Sequence, residues 1–382
     1  MNSTRLTRRT AAMLMLASLS ACGGGGGGSD DSGSTGGGGT GGGTGTGGGG
    51  TGTGGGTGTG GGTGTGGGTT DPGTGTGTGG GNTGGNTGGT TAVTGQYRLE
   101  TAATSFASVL ATANQLGAQG YAYISTLTAG VLNNVTMGDF YVTDTAHKNA
   151  RLDYVADAYV GSVTALVAQA NQRGSQGYLY KAGAAFPSNQ TDIRNLYVRD
   201  SSLSQTFTYE AVLTDNTTTT AKVLGDELTR MGARGFRWLG PMIIGTQMFN
   251  FYCKDNAGTT YEYTLGSMSG TYSEKNAAEL KKALDAKGAE GRLTRGALAL
   301  ANGAGVAVWE KSSKQKGAIQ YMIESDVSND TLAKMKARLD TNAAKGFFFL
   351  TGEFTSDNVM HNISVSNASN MLHPLAGGAF PG

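Results

Sequence analysis

The sequence predicts an α+β protein in which five tandem βαββ repeats pack as an arc or a ring behind a long Gly/Thr tether. Two short phrases that recur at one period, and a helical stripe of apolar residues ahead of the first of them, predict it. The first phrase is Gly117-Ala118-Gln119-Gly120-Tyr121, Gly174-Ser175-Gln176-Gly177-Tyr178, Gly232-Ala233-Arg234-Gly235-Phe236, Gly288-Ala289-Glu290-Gly291-Arg292 and Ala343-Ala344-Lys345-Gly346-Phe347. Its last glycines are 57, 58, 56 and 55 positions apart. The second phrase is Phe140-Tyr141-Val142-Thr143-Asp144, Leu196-Tyr197-Val198-Arg199-Asp200, Phe251-Tyr252-Cys253-Lys254-Asp255, Ala307-Val308-Trp309-Glu310-Lys311 and Ile363-Ser364-Val365-Ser366-Asn367. Two unrelated phrases keep one period when the chain repeats a structural unit.

The chain begins with Arg5, Arg8 and Arg9, followed by an apolar stretch from Ala11 to Leu19. That order and length describe a signal peptide over residues 1–21, too short to remain as a membrane-spanning helix. The stretch closes on Leu19-Ser20-Ala21-Cys22, which resembles the lipobox of bacterial lipoproteins at all four positions. The resemblance implies cleavage before Cys22, acylation of its thiol and new amino group, and partnership with the lipid bilayer through several acyl chains on one residue, enough for stable anchoring. Gly23, standing where an Asp would favour the inner membrane, implies the outer one.

Residues 22–95 carry the lipid-bearing cysteine and a segment of Gly and Thr whose only charges are Asp30, Asp31 and Asp71. With nothing apolar to bury, such a chain is expected to stay a disordered spacer of about 45–50 Å average reach. Its G-x-G-x-x-G matches imply no phosphate loop, because no strand precedes them and no helix follows.

The repeats are expected over residues 96–149, 150–206, 207–259, 260–317 and 318–370, with a flexible tail over 371–382. In each, a strand comes first: Tyr97 to Leu99, Leu152 to Val155, Tyr209 to Leu213, Tyr261 to Leu265 and Ile319 to Ile323. A helix follows, because apolar residues stand four, eight and eleven positions before the phrase: Phe106, Val109 and Ala113; Val163, Leu166 and Ala170; Ala221, Leu224 and Leu228; Ala277, Leu280 and Leu284; Leu332, Met335 and Leu339. Thr104 and Ser273 suit N-caps, and the first glycine of the phrase suits a left-handed helix stop, with Asn342 as a substitute where Ala343 replaces it. Two strands joined as a hairpin complete the unit. The helix end, closest at Leu284 with Gly288-Ala289-Glu290-Gly291, resembles a small bacterial family of unknown function with a helix, G-x-E-G-W and hairpin signature. That resemblance covers about ten residues per unit, lacks the Trp throughout, and implies only the local fold.

Net charge is +1 and no basic run stands out, so nucleic acid is not an expected partner. His147, His361 and His373 stand at no metal-ligand spacing, and no nucleophile motif is present, so neither a metal, a cofactor nor a catalytic residue is expected. Cys253 aligns with Val142, Val198, Trp309 and Val365 and reads as a buried small hydrophobe. Asp144, Asp200 and Asp255, with Lys311 and Asn367 in their place later, read as turn residues. Tyr123, Tyr180, Trp238 and Phe349 are equivalent, with Thr294 in the fourth unit. Their row either packs on the helix or offers surfaces for stacking on sugars or apolar ligands. The expected role is a non-enzymatic binding or scaffold module displayed on the cell envelope, with envelope polysaccharide or protein as partner. The alternative is a hydrolase of envelope polysaccharide or peptidoglycan, with a cleft carrying Asp153 and Asp157.

Overall fold

The computed structural model describes residues 93–130, 135–186, 189–215, 219–270, 273–300, 303–325 and 330–368. The expected signal peptide, Cys22, the Gly/Thr segment as far as residue 92, the expected tail and His373 lie outside them. Five units follow one another. The first comprises β1 (Gly95–Thr101), α1 (Phe106–Gly117), β2 (Ala122–Ala129) and β3 (Thr136–Asp144); the second β4 (Leu152–Ala158), α2 (Val163–Ser175), β5 (Leu179–Phe186) and β6 (Asn189–Asp200). The third comprises β7 (Phe207–Thr214), α3 (Ala221–Ala233), β8 (Arg237–Ile244) and β9 (Gln247–Asp255); the fourth β10 (Tyr261–Ser267), α4 (Ala277–Ala289), β11 (Leu293–Ala299) and β12 (Gly305–Ser312). The fifth comprises β13 (Gln320–Ser325), α5 (Leu332–Ala343), β14 (Phe348–Phe354) and β15 (Met360–Ser366). Each unit is an antiparallel sheet in the order first, third, second strand.

The helices tie the units into a cycle. α1 packs on β4, α2 on β7, α3 on β10 and α4 on β13, and α5 returns to β1. A unit of about 55 residues buries too little surface to be stable alone, and here each lends its helix to the next sheet, so the array closes as a ring.

The same hydrogen bond marks every junction. The second strand of each unit carries a bulge, after Tyr123, Tyr180, Trp238, Thr294 and Phe349. The backbone N–H of each of those five residues donates to a tyrosine hydroxyl of the next unit's first strand: Tyr154 at 2.7 Å, Tyr209 at 2.6 Å, Tyr263 at 2.7 Å, Tyr321 at 2.7 Å and, at the closure, Tyr97 at 2.8 Å. A side chain from the helix also clamps the incoming strand. Asn114 both accepts from and donates to the backbone of Tyr154, Asn171 does so with Tyr209, and Asp340 accepts from Tyr97 N–H at 2.6 Å.

Three local expectations are corrected. The left-handed residue at each helix end is the second glycine of the phrase, with φ of +85°, +85°, +88°, +73° and +85° at Gly120, Gly177, Gly235, Gly291 and Gly346. The first glycine is helical and serves close packing: a Cβ on Gly117, Gly174, Gly232 or Gly288 would lie 2.2–2.3 Å from a carbonyl oxygen of the next unit, at Leu152, Phe207, Tyr261 and Ile319. The N-caps are Ser105, Ser162, Thr220, Asn276 and Thr331. Thr104 misses by one residue, because Ser105 forms the reciprocal capping box with Ser108. Ser273 precedes the helix by a longer loop, because Asn276 accepts from the N–H groups of Ala278 and Glu279.

The third correction concerns register. Tyr97, Tyr154, Tyr209, Tyr263 and Tyr321 lie opposite Val142, Val198, Cys253, Glu310 and Val365. In the fourth unit the second phrase therefore slides by one residue. Glu310, and not Trp309, is the equivalent of Cys253, and Ser312, opposite Tyr261, replaces Lys311 as the equivalent of Asp144, Asp200 and Asp255.

Candidate functional site

The strand-end aspartates perform turn chemistry. Asp144 accepts from the His147 N–H and holds its ring nitrogen, Asp200 accepts from the N–H groups of Arg151 and Ser202, and Asp255 accepts from Ala257 N–H and the Thr259 hydroxyl. Ser312 accepts from Lys314 N–H and the Asn367 amide donates to the carbonyls of Lys316 and Ala318, so all five positions fasten the chain that follows or adjoins the strand. Cys253 is buried, and burial pushes its thiol up to about 12, which keeps it protonated. Asp153 is paired with Arg199 and Asp157 bidentately with Arg173.

The aromatic row lies inside the junctions. Tyr123 packs on Tyr141 and Tyr154, with the Lys181 ammonium 5.4 Å from its ring centre; Tyr180 packs on Tyr197 and on Phe251 of the next unit. Trp238 is buried and donates to Asn250 at 3.0 Å, and Phe349 is half-buried against the core. The rings of Tyr123 and Tyr180 are engaged by other side chains.

Two groups of residues missed in the sequence are concentrated in units three to five. The first is a buried ionic cluster. Arg237, at the start of β8, meets Glu310 of β12 at 2.9 Å, with Arg295 3.8 Å away and the Tyr263 hydroxyl donating to the same carboxylate at 3.1 Å. Units one, two and five carry Val where Glu310 stands, and units one, two, four and five carry Ala122, Leu179, Leu293 and Phe348 where Arg237 stands. Aligning the fourth unit one residue later would have exposed Glu310 as a charge in an apolar column.

The second group crosses the far end of the fifth sheet. Ser325, His361 and Glu353 are cross-strand neighbours and project from one face. The corresponding rows are Thr101, Gly138 and Leu127; Ala158, Arg194 and Ala184; Leu213, Phe249 and Met242; Ser267, Val306 and Leu298. Only in the fifth unit does the row combine a hydroxyl, an imidazole and a carboxyl.

His361 is 1% exposed, with Nδ1 2.9 Å from Ser325 Oγ and Nε2 2.8 Å from Thr355 Oγ1. Thr355 donates to Asp357 Oδ1 at 2.5 Å. Because a hydroxyl has one proton, that bond leaves Thr355 Oγ1 to accept from Nε2–H, and Nδ1 is then free to accept from Ser325. The relay thus has one direction, Ser325 to His361 to Thr355 to Asp357. Burial lowers the His361 pKa, so the ring is neutral at pH 7, and the Thr355 hydrogen bond chiefly holds Asp357 below the usual carboxylate range.

Glu353 faces the fourth unit. There Glu274 is buried, accepting from the N–H and hydroxyl of Ser269, and a cavity with room for about one water touches Glu274, Glu353, Leu280, Leu284 and Trp309. Burial, then the Glu274 charge, raises Glu353 from 4.5 to about 7. The turn bearing Thr355 is docked on the same loop, with Ser356 N–H donating to Glu274 O at 2.8 Å. Sequence reading passed over His361 because its partners lie 36 residues before and 6 residues before it, at no motif spacing.

Among the described residues no group of three or more His, Cys, Asp or Glu could hold a metal ion, and no helix is long and apolar enough to cross a membrane. A family model described as PT dipeptide repeat lipoprotein matches residues 87–367. No curated protein and no solved structure matches the chain.

Proposed function

Since the chain belongs to the PT dipeptide repeat lipoprotein family, we propose that it is anchored through an acylated Cys22 and displays its ring as a scaffold or binding head in the bacterial cell envelope. The chain holds no Pro-Thr pair, so what it shares with the family over residues 87–367 is chiefly the folded repeats. Closure of the ring, through the Tyr97 hydroxyl and α5 against β1, is the observation that carries the reading. A closed cycle gives each helix and each first strand a partner within the chain, which suits a stiff platform whose rims are left for contact.

In this reading the segment after Cys22 spaces the ring from an outer-membrane anchor, and the partner is an envelope polysaccharide or protein. The anchor is tested by Cys22→Ala: acyl labelling should vanish and the protein should leave the membrane pellet, whereas retention in the pellet would overturn it. The head is tested by incubating the ring, residues 93–368, with purified peptidoglycan, envelope polysaccharide and solubilised envelope proteins. Specific co-sedimentation with one of them supports a binding head; failure with all three removes it.

A further inference from the structure

We propose that Ser325 is a nucleophile activated by His361, able to take an acyl group from activated carboxylic esters. The proposal is independent of the scaffold reading and rests on the geometry of the fifth unit. Ser325 is exposed at the end of β13, while the imidazole behind it is almost fully buried. The Oγ–Nδ1 distance of 2.9 Å is the hydrogen bond that a nucleophile and its base require. The bond from Nε2 to Thr355, and from Thr355 to Asp357, places the second imidazole proton away from Ser325 and sets an acidic group at the end of the relay. An imidazolium formed on His361 would be stabilised along that line, as the third member of a catalytic triad stabilises its histidine.

Comparison of the five units argues against a purely structural origin. The four other rows close the same end of the sheet without a hydroxyl hydrogen-bonded to an imidazole, so neither packing nor ring closure needs one. A polar group that departs from the repeat, is satisfied by hydrogen bonds and lies beside a perturbed carboxyl, here Glu353, has the signature of a working site.

Ser325 Oγ adds to the ester carbonyl carbon while its proton passes to His361 Nδ1. The carbon–oxygen bond to the leaving group breaks, and the leaving alkoxide or phenoxide takes that proton. Water then adds to the acyl-serine with His361 again as base, releasing the carboxylic acid and restoring Ser325. A nucleophile with its base suffices for esters whose leaving group departs unaided, and those define the substrate class.

The test uses the full chain in detergent, a fluorophosphonate probe and p-nitrophenyl acetate. Mass spectrometry should place the phosphonyl adduct on Ser325, and Ser325→Ala should lose both the adduct and ester turnover. His361→Asn should slow labelling on the order of 100-fold or more, the usual worth of a general base. Wild-type labelling should rise with pH through one midpoint below the ordinary histidine value of 6.5. Thr355→Val, a change at a positioning residue, should move that midpoint. No adduct on Ser325, an adduct formed equally fast in folded His361→Asn, or a flat pH profile would each overturn the proposal. Should His361→Asn fail to fold, the wild-type adduct and pH profile decide.

Discussion

The hydroxyl of Tyr97 accepts a hydrogen bond at 2.8 Å from the backbone N–H of Phe349, 252 residues further along the chain. The same tyrosine-to-bulge bond joins consecutive units at 2.6–2.7 Å. The closure therefore uses the chemistry of the internal junctions, and the two ends of the array are bound as neighbours are.

Tyr97→Phe should consequently cost nearly as much as Tyr209→Phe, which also gives up a donation from its hydroxyl to the Tyr178 carbonyl. Each removes an acceptor and leaves a buried N–H unsatisfied, which is worth about 1–3 kcal/mol. Urea denaturation of the two variants decides it. An open arc would make Tyr97→Phe nearly silent and leave the Tyr209 variant impaired.

The helix-end glycines give a contrast within one chain. Gly174→Ala puts a methyl 2.2 Å from Phe207 O, a distance that the neighbouring strand can relieve only by moving. We expect a loss of about 3 kcal/mol or more, the upper range for overpacking. At the closure the helix carries Ala343, fully buried, while the strand position that elsewhere holds Leu152, Phe207, Tyr261 or Ile319 holds Gly95. A Cβ on Gly95 would lie 2.4 Å from Thr143 O and 2.6 Å from the Phe348 ring, so this strand position is tight as well. Ala343→Gly removes one buried methyl without a clash and should cost about 1–2 kcal/mol, the helix-propensity difference plus the lost burial, and thermal melting of both variants measures the asymmetry.

How far the sequence could be read follows from the range of the interactions involved. The periodic stripe of Leu224 and Leu228, or of Leu280 and Leu284, reports a helix face directly, because its neighbours are local. The role of Gly174 was misread, because the atom that forbids its side chain, Phe207 O, belongs to another unit. Thr104 differed from Ser105 by one position, which only the capping geometry resolves. Glu310 was hidden by a one-residue slip, since Trp309 beside it is apolar and satisfied the expected column. The row of Ser325, His361 and Glu353 was illegible for a deeper reason: three strands bring it together, and no spacing along the chain records a sheet's cross-strand order.

The ionic cluster predicts a failure of consensus. Glu310→Val installs the residue that the first, second and fifth units carry at that position, yet it strands Arg237 and Arg295 in a buried site. Breaking a buried pair from one side costs about 3–5 kcal/mol. The triple change Arg237→Leu, Glu310→Val and Arg295→Leu removes every charge together and should return stability to within about 1–2 kcal/mol of the parent. Equal loss in the single and triple variants would show that the cluster stabilises by its shape and not by its charge balance.

Glu353 and His361 impose opposite pH dependences on the junction of units four and five. Glu353 titrates near 7 in the folded chain against 4.5 ordinarily. Between those values the folded state keeps a proton that the unfolded state has lost. Its contribution is intact below about pH 4.5 and is lost as pH rises to about 7. His361 is depressed below 6.5, so the unfolded state takes up the proton first and stability falls as pH drops through that region. Glu353→Gln isolates the first effect, because it keeps the shape and the Glu274 neighbour but cannot ionise. Relative to the parent, the variant should gain stability from pH 5 to pH 8 by roughly 2–3 kcal/mol, because most of the rise from 4.5 to about 7 falls inside that window. His361→Asn should show the reverse trend over the acid half of the range. Urea melts of the parent and both variants at pH 5, 6.5 and 8 provide the check. A parent-to-variant difference that is constant with pH for Glu353→Gln would mean that its carboxyl meets water freely and that the two acidic side chains do not share an enclosed site.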